Sequence, residues 1–346
     1  MPMENSCSWM KDNFDITNLP SNRAYKNLNK YLDFIELLAI TSIDKSCTLS
    51  MIVDIMEEND GFENQDYREE GFDQLDDSLS YEALVINNSP SIAEFKSHLI
   101  KVIEYRNEKF DDYWPFEYDK ETNKISVLTD HNFYKLYVCL LLSSVLSIMK
   151  SSNRKFFTDI HEVIGYEVIK KIFPEDAGWS VKSFGANQTF GSYYAGNLKD
   201  KFELLAKDLS TALNPMATFP SSSGDGGIDA VVFRKFIKDD RGLLPFCTVQ
   251  STCMDDRLEL KARETSYARI NDKIILKTSL TNFLISPRDM VTTVNNTKFQ
   301  IDDNALSVII DRFRILPLIN TSDIPLNTNI TNMIGDLENL NNNYAF

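Results

Sequence analysis

Apolar residues recur at helical spacing over 22–42, where Tyr25, Leu28, Leu32, Ile35 and Leu38 follow Asn22, a residue able to cap a first turn. The same period predicts helices over 47–58, 91–107 and 131–150, so the first 150 residues read as mainly helical. Ser151-Ser152-Asn153 reads as a joint. A helix over 158–172 then stops before Pro174, and Trp179 to Phe184 alternates as a strand does.

Beyond the joint the pattern becomes helix, strand, strand, helix. Leu198, Phe202, Leu205, Leu209 and Leu213 form an apolar stripe over 197–213 behind a capping Asn197. The loop 214–227 follows, then short strands over 228–233 and 246–250 on either side of KDDRG. Asp255 or Asp256 can cap a helix running to about Ile270, 282–286 reads as a strand, and 303–316 reads as a helix ending at Pro317. The tail 338–346 has no pattern. The predicted fold class is α+β or α/β: a mostly helical region over 1–150, then 151–346 built on a mixed sheet flanked by helices.

Charge divides unevenly along this chain of 346 residues, whose formal net charge is −15. From Asp54 to Glu82 there are 12 acidic residues against Arg68 alone, and no apolar period runs through them. This acidic strap reads as a solvated loop, with a partner-binding surface as the alternative. Between Lys150 and Ile270 the balance is 17 Lys and Arg against 16 Asp and Glu. The global acidity argues against a nucleic-acid partner, but the local balance permits one.

Other chemistries are excluded by count and spacing. The five cysteines (Cys7, Cys47, Cys139, Cys247, Cys253) are odd in number and have no Cys-x-x-Cys spacing, which argues against disulfides or structural zinc and for a reducing cytoplasm. His98, His131 and His161 each stand alone, which argues against a His-metal site. The 12 glycines are about half the usual share, against nucleotide-loop folds. The start lacks a basic segment followed by an apolar one, so no signal peptide is expected. The longest uncharged apolar run, Leu136 to Met149, is too short for a bilayer span, which needs about 20 residues. It reads as a buried helix, with no membrane as partner.

What remains is carboxylate, amide and lysine chemistry, and it concentrates in GDGGID (224–229) and Val249-Gln250. If the two strands form a hairpin about the centre between Asp239 and Asp240, Asp229 lies opposite Gln250. Directly opposed residues share a face with Cβ atoms about 5 Å apart. A carboxylate and an amide oxygen so placed can begin a site for Mg²⁺ or Mn²⁺, which takes one or two carboxylates, other oxygens and retained waters. The alternative is a glycine turn entering an ordinary strand.

The order helix with Glu, GDGGID, strand, strand, VQ resembles the PD-(D/E)xK nuclease superfamily, especially its Mrr-like restriction-endonuclease branch, over roughly 155–320. That resemblance implies a restriction-endonuclease-like core in which Asp229 is the metal-binding aspartate, Gln250 takes the Glu/Gln place, and Glu203 is the supporting helix glutamate. The lysine of V-Q-x-K is missing, because Thr252 stands there. Lys261, on the following helix, can replace it, with Arg257 as a second cation nearby; alternatively the site has decayed. Bland readings stand beside these: a surface pair of Glu203 with Lys207, another of Lys261 with Glu264, and Asp225 as a turn former. Ser251 and Thr252 read as hydrogen-bonding groups because no base partners them. Asp311, Arg312 and Arg314 read as an ion pair closing the domain, with phosphate contact as second choice.

The function expected from the resemblance is a divalent-metal-dependent DNA endonuclease of a bacterial restriction or anti-phage defence system. The alternative is a catalytically decayed nuclease fold that binds DNA or regulates a partner. DNA, a partner protein such as an ATPase, and further copies of the chain are the expected partners. The helical region would then sense, dock or oligomerise, and the acidic strap could mimic DNA.

Overall fold

The computed structural model describes residues 27–51, 53, 91–185, 191–219, 225–236, 243–254, 258–294, 297–300, 307–324, 332 and 334–337. The acidic strap, Arg257, Asp255 and Asp256, the KDDRG loop and the tail 338–346 lie outside the described residues. The protein is α+β, and its chain divides into two compact units. One takes the described residues of 1–154, 289–301 and 326–346; the other takes those of 155–288 and 302–325. Two late segments thus group with the first unit, where the sequence pattern predicts an unbroken 151–346.

In the first unit, helix α1 (Leu28–Thr41) is buried on nearly every side, including Asp33 and Glu36. It packs against α2 (Ile92–Phe110), α3 (Tyr134–Ser144) and a small sheet. Ser91 and Glu94 close a reciprocal capping box at the start of α2. The buried charges of α1 meet Arg106 of α2, whose Nη1 lies 2.9 Å from Asp33 and 2.8 Å from Glu36. Glu36 also accepts from Trp114 Nε1 at 2.9 Å and from the Tyr137 hydroxyl at 2.9 Å.

The sheet beside them corrects the mainly helical expectation. Strands β1 (Ser46–Thr48), β2 (Phe116–Asp119) and β3 (Lys124–Val127) pair antiparallel in the order β1-β3-β2, so the predicted helix over 47–58 begins as a strand. A further antiparallel hairpin joins Val291–Val294 to Thr297–Gln300. The run from Leu136 is a buried helix, as its length implied, and among the described residues no helix is long and apolar enough to cross a membrane.

The second unit is built on helix α4 (Ser151–Ile172), which starts at the predicted joint, and on a five-stranded mixed sheet. Its strands are β4 (Ser180–Ser183), β5 (Ala230–Phe233), β6 (Phe246–Ser251), β7 (Leu280–Ile285) and β8 (Val308–Ile310), in the spatial order β8-β7-β6-β5-β4. Pairing is antiparallel from β4 to β6 and parallel from β6 to β8. All four residues of β5 are buried, as befits a strand covered on both faces. Helix α5 (Leu198–Asp208) is capped by Asn197 and turns Leu198, Phe202 and Leu205 inward. Helices α6 (Leu258–Glu264) and α7 (Tyr267–Asn271) replace the single helix predicted to reach Ile270. The helix predicted over 303–316 is likewise corrected: its described part is β8 followed by α8 (Arg312–Ile315), capped by Asp311.

The β5–β6 register is the one the loop centre predicts. Ala230 faces Val249 and Phe233 faces Phe246. The antiparallel step from β5 to β6 brings the start of one strand to the end of the other, and parallel β7 ends there too. One end of the sheet therefore gathers Asp229, Gln250 and Ser251.

Candidate active site

Asp229 stands one residue ahead of β5. Its N–H donates to the Val249 carbonyl at 3.0 Å, while its own carbonyl accepts from the N–H groups of Phe184 and Gly185 at 2.8 and 3.1 Å. These three bonds fix the backbone, and the carboxylate turns across the strand end so that Oδ2 accepts the Ser251 N–H at 2.6 Å. Oδ1 has no hydrogen bond among the described residues. The space around it is narrow: a Cβ on Gly185 would lie 3.4 Å from both Asp229 Oδ1 and Asp225 Oδ2. Asp225 also accepts the Gly227 N–H at 2.9 Å, the turn-forming role its position predicts.

Gln250 is buried. Its Nε2 donates to Glu264 Oε2 at 2.7 Å, and both Glu264 oxygens accept from Lys261 Nζ at 3.0 Å. A carboxylate only accepts, so the amide must present its nitrogen to Glu264 and turn its oxygen away. Gln250 Oε1 is consequently buried with no hydrogen-bond partner among the described residues. Gly227 makes this approach possible. Its φ is +82°, and a Cβ there would lie 2.6 Å from Glu264 Oε2.

The electrostatics follow from these positions. Burial pushes the Asp229 carboxyl well above the usual carboxylate range. The negative charges of Glu162 on α4 and of Asp225 push it the same way, while the Ser251 N–H and the Lys261 ammonium pull it back. Lys261 is thus both a partner of Glu264 and a cation acting on Asp229. The pairing with Glu264 is the one the i, i+3 spacing predicts.

Glu203 is not brought to this site. It is half exposed on α5 and pairs with Lys199 at 3.5 Å, not with the predicted Lys207. The cause is helical phase, since positions two apart point about 200° from each other and Lys201 faces inward. Thr252, in the lysine place, is buried; its N–H donates to the Ile285 carbonyl at 2.9 Å and its hydroxyl accepts from Met254 N–H at 3.2 Å. Asp311 caps α8, and the fully buried Arg312 donates to the Pro287 carbonyl at 2.7 Å.

Three groups at the site escape sequence reading. Glu162 acts on Asp229 from a helix far upstream. Glu264 organises Gln250 and Lys261. Lys201 is buried, donates through Nζ to the Phe184 carbonyl at 2.8 Å, and loses basicity through burial, against the opposing pull of Asp225. The spacing of Lys261 and Glu264 signalled their pairing, but only the tertiary fold links it to Gln250.

A divalent cation can be tested against this donor set. Among the described residues no three His, Cys, Asp or Glu side chains converge tightly enough to hold a metal by themselves. Mg²⁺ does not need three, because it takes one or two carboxylates, amide oxygens and several waters. Asp229 Oδ1 and the orphaned Gln250 Oε1 are oxygens of that kind, and the residues fit. Compared with models of known families, with curated proteins and with solved structures, the chain matches none.

Proposed function

We propose that the second unit is a divalent-metal-dependent DNA endonuclease. The observation that carries this reading is the buried carbonyl oxygen of Gln250 at the same strand end as Asp229; among the described residues neither it nor Asp229 Oδ1 has a hydrogen-bond partner. Burying such an amide oxygen unsatisfied costs on the order of 1–3 kcal/mol, a cost that a cation ligand would recover.

Asp229 and Gln250 would hold Mg²⁺ or Mn²⁺. When bound, the cation acidifies a water and neutralises charge on a scissile phosphate. The chain's own groups do the rest. The Ser251 N–H engages Asp229 Oδ2 and leaves Oδ1 to act as the ligand. Glu264 aims the Gln250 oxygen and positions the Lys261 side chain. Lys261 would orient the attacking water and stabilise the charge growing on the non-bridging phosphate oxygens, while the bond from phosphorus to the leaving sugar oxygen breaks and that oxygen takes a proton from solvent. Such an enzyme would serve restriction or anti-phage defence in a bacterial cytoplasm, as a homo-oligomer or beside a partner protein.

The test is incubation with plasmid DNA in Mg²⁺ or Mn²⁺ beside Asp229→Ala. Nicking by wild type alone supports the reading; no nicking, or equal nicking by both, overturns it. A second reading, a decayed nuclease fold that binds DNA or regulates a partner, is favoured by Thr252 in the lysine place. Calorimetric Mn²⁺ titration separates the two, since a decayed site gives the same heat with and without Asp229.

A further inference from the structure

Next to the Asp229 site the second unit has a cavity of about 420 Å³. Its floor is apolar: Leu198 and Phe202 from α5, Leu260 from α6 and Ile270 from α7. Leu260 is 44% exposed, so an apolar surface faces the opening. Three cations, Arg263, Arg269 and Lys273, stand around this floor. Lys273 is held in place, its Nζ donating to the Thr218 carbonyl at 2.7 Å and lying 5.4 Å from the Phe219 ring centre. Among the described residues Arg263 and Arg269 have no acidic partner.

The remaining wall is shared with the candidate active site. Gly226 lies in the turn between Asp225 and Gly227, and Glu264 is the residue that holds Gln250 and Lys261. A ligand in the cavity therefore sits one side chain away from the oxygens proposed to hold the metal. Apolar walls suit the face of a base, and guanidinium groups suit phosphate oxygens. The size lies in the roughly 300–1,000 Å³ range of small-ligand sites. It admits one nucleotide and excludes a duplex, so a base can enter only if it is out of its stack.

We propose that this cavity receives a single unpaired nucleotide of the substrate strand. Its base lies against Leu260 and Ile270, its phosphate meets Arg263 and Arg269, and the adjoining phosphodiester is presented to Asp229 and Gln250. The identity of the strand as substrate rests on the nuclease reading; the pocket's preference for a base can be measured without it.

The experiment is fluorescence anisotropy of the full chain in EDTA, with a labelled single-stranded thymidine 12-mer and an abasic 12-mer of equal charge. Wild type should bind the base-bearing strand about tenfold more tightly, the order of one or two stacked bases. Leu260→Asn, which withdraws the apolar surface that meets the base, should lower the affinity for the base-bearing strand to that for the abasic one. Leu260→Gln, which keeps the chain length and adds no charge beside Arg263 and Arg269, should do the same, and an unaltered circular dichroism spectrum of both variants excludes misfolding as the cause. Arg263→Ala with Arg269→Ala should weaken both strands and lower the salt slope by about 0.7, the share of one phosphate contact on a single strand. Equal binding of the two strands by wild type, binding of neither, or a preference that survives both Leu260 variants overturns the proposal. Base preference without any plasmid nicking would overturn the nuclease reading alone; nicking without base preference would overturn the pocket alone.

Discussion

Gln250 gives its amide hydrogen to Glu264 at 2.7 Å, and this one bond sets which way its oxygen faces. Glu264 touches no proposed metal ligand except through that bond, so it acts as an outer-shell partner. Removing such a partner typically costs 10–100-fold in metal affinity. Glu264→Gln should therefore weaken Mn²⁺ binding by about that factor, because a glutamine partner lets the Gln250 amide face either way. Calorimetry with unaltered circular dichroism would establish it; an unchanged affinity would show that something other than Glu264 orients Gln250.

Asp229 is costly to the fold as an anion. Its carboxyl is raised by burial first and by Glu162 and Asp225 after it. An acid with a raised folded pKa keeps its proton longer in the folded state, so stability is highest below the unfolded value of about 4 and falls as pH rises towards the folded value. Asp229→Asn keeps an acceptor for the Ser251 N–H and removes the charge. In EDTA at pH 7 it should melt higher than wild type, each kcal/mol gained raising the melting temperature by about 2–4 °C. The gap should close as the pH approaches 4. A lower melting temperature for the variant at pH 7 would mean that the anion is stabilised, contrary to this account.

Those two residues also mark what could be read in advance. The β5–β6 register was legible because a short hairpin has one symmetric register, and that register brings Asp229 and Gln250 to the same strand end. The inward stripe and cap of α5 were legible for the same local reasons. Glu162 was not, because its effect on Asp229 depends on how α4 packs under the sheet. The nearer helix supplied Glu203 as a decoy, since sequence proximity does not determine helical phase. Strands of three or four residues, such as β2, β3 and β8, carry too few positions to show a period. In 306–313 the apolar spacing fits a helix, yet Val308–Ile310 is recruited by pairing with β7.

His161, one residue before Glu162, predicts an acid sensitivity. Its Nε2 donates to the Ile285 carbonyl at 3.1 Å, and its buried Nδ1 has no partner among the described residues. Burial lowers its pKa to about 4 from the ordinary 6.5, with the Ile285 bond opposing. The unfolded chain then takes up a proton below 6.5 while the folded chain does not until about 4. Stability is full above 6.5 and should fall across that window by about 3 kcal/mol. His161→Gln retains a donor for Ile285 and cannot titrate. Denaturant titrations at pH 7, 6, 5 and 4 should give a shallower slope for the variant; parallel slopes would assign the acid sensitivity to other groups.

Lys261 decides between an active and a decayed site. If it is the migrated cation, Lys261→Ala should lower nicking at least 100-fold, the scale of one lost charge-stabilising group. Mn²⁺ affinity should change far less, because Lys261 holds Gln250 only through Glu264. The reverse pattern, weakened metal binding with proportionate loss of rate, would make Lys261 a support for Glu264 and nothing more.

The buried charges of the first unit supply a test independent of any activity. Arg106 is fully buried and is the cation that meets Asp33 and Glu36, the latter also held by Trp114 and Tyr137. Removing the cation from such a buried cluster costs about 3–5 kcal/mol. Arg106→Met fills nearly the same volume, so a loss of that size would come from charge and not from a cavity. Replacing Asp33, Glu36 and Arg106 together by apolar residues removes these three charges and should recover part of the loss, because their desolvation cost disappears with them. Calorimetric scans of the two variants check this. If Arg106→Met alone melts with wild type, the network contributes packing only, and its electrostatic role is refuted.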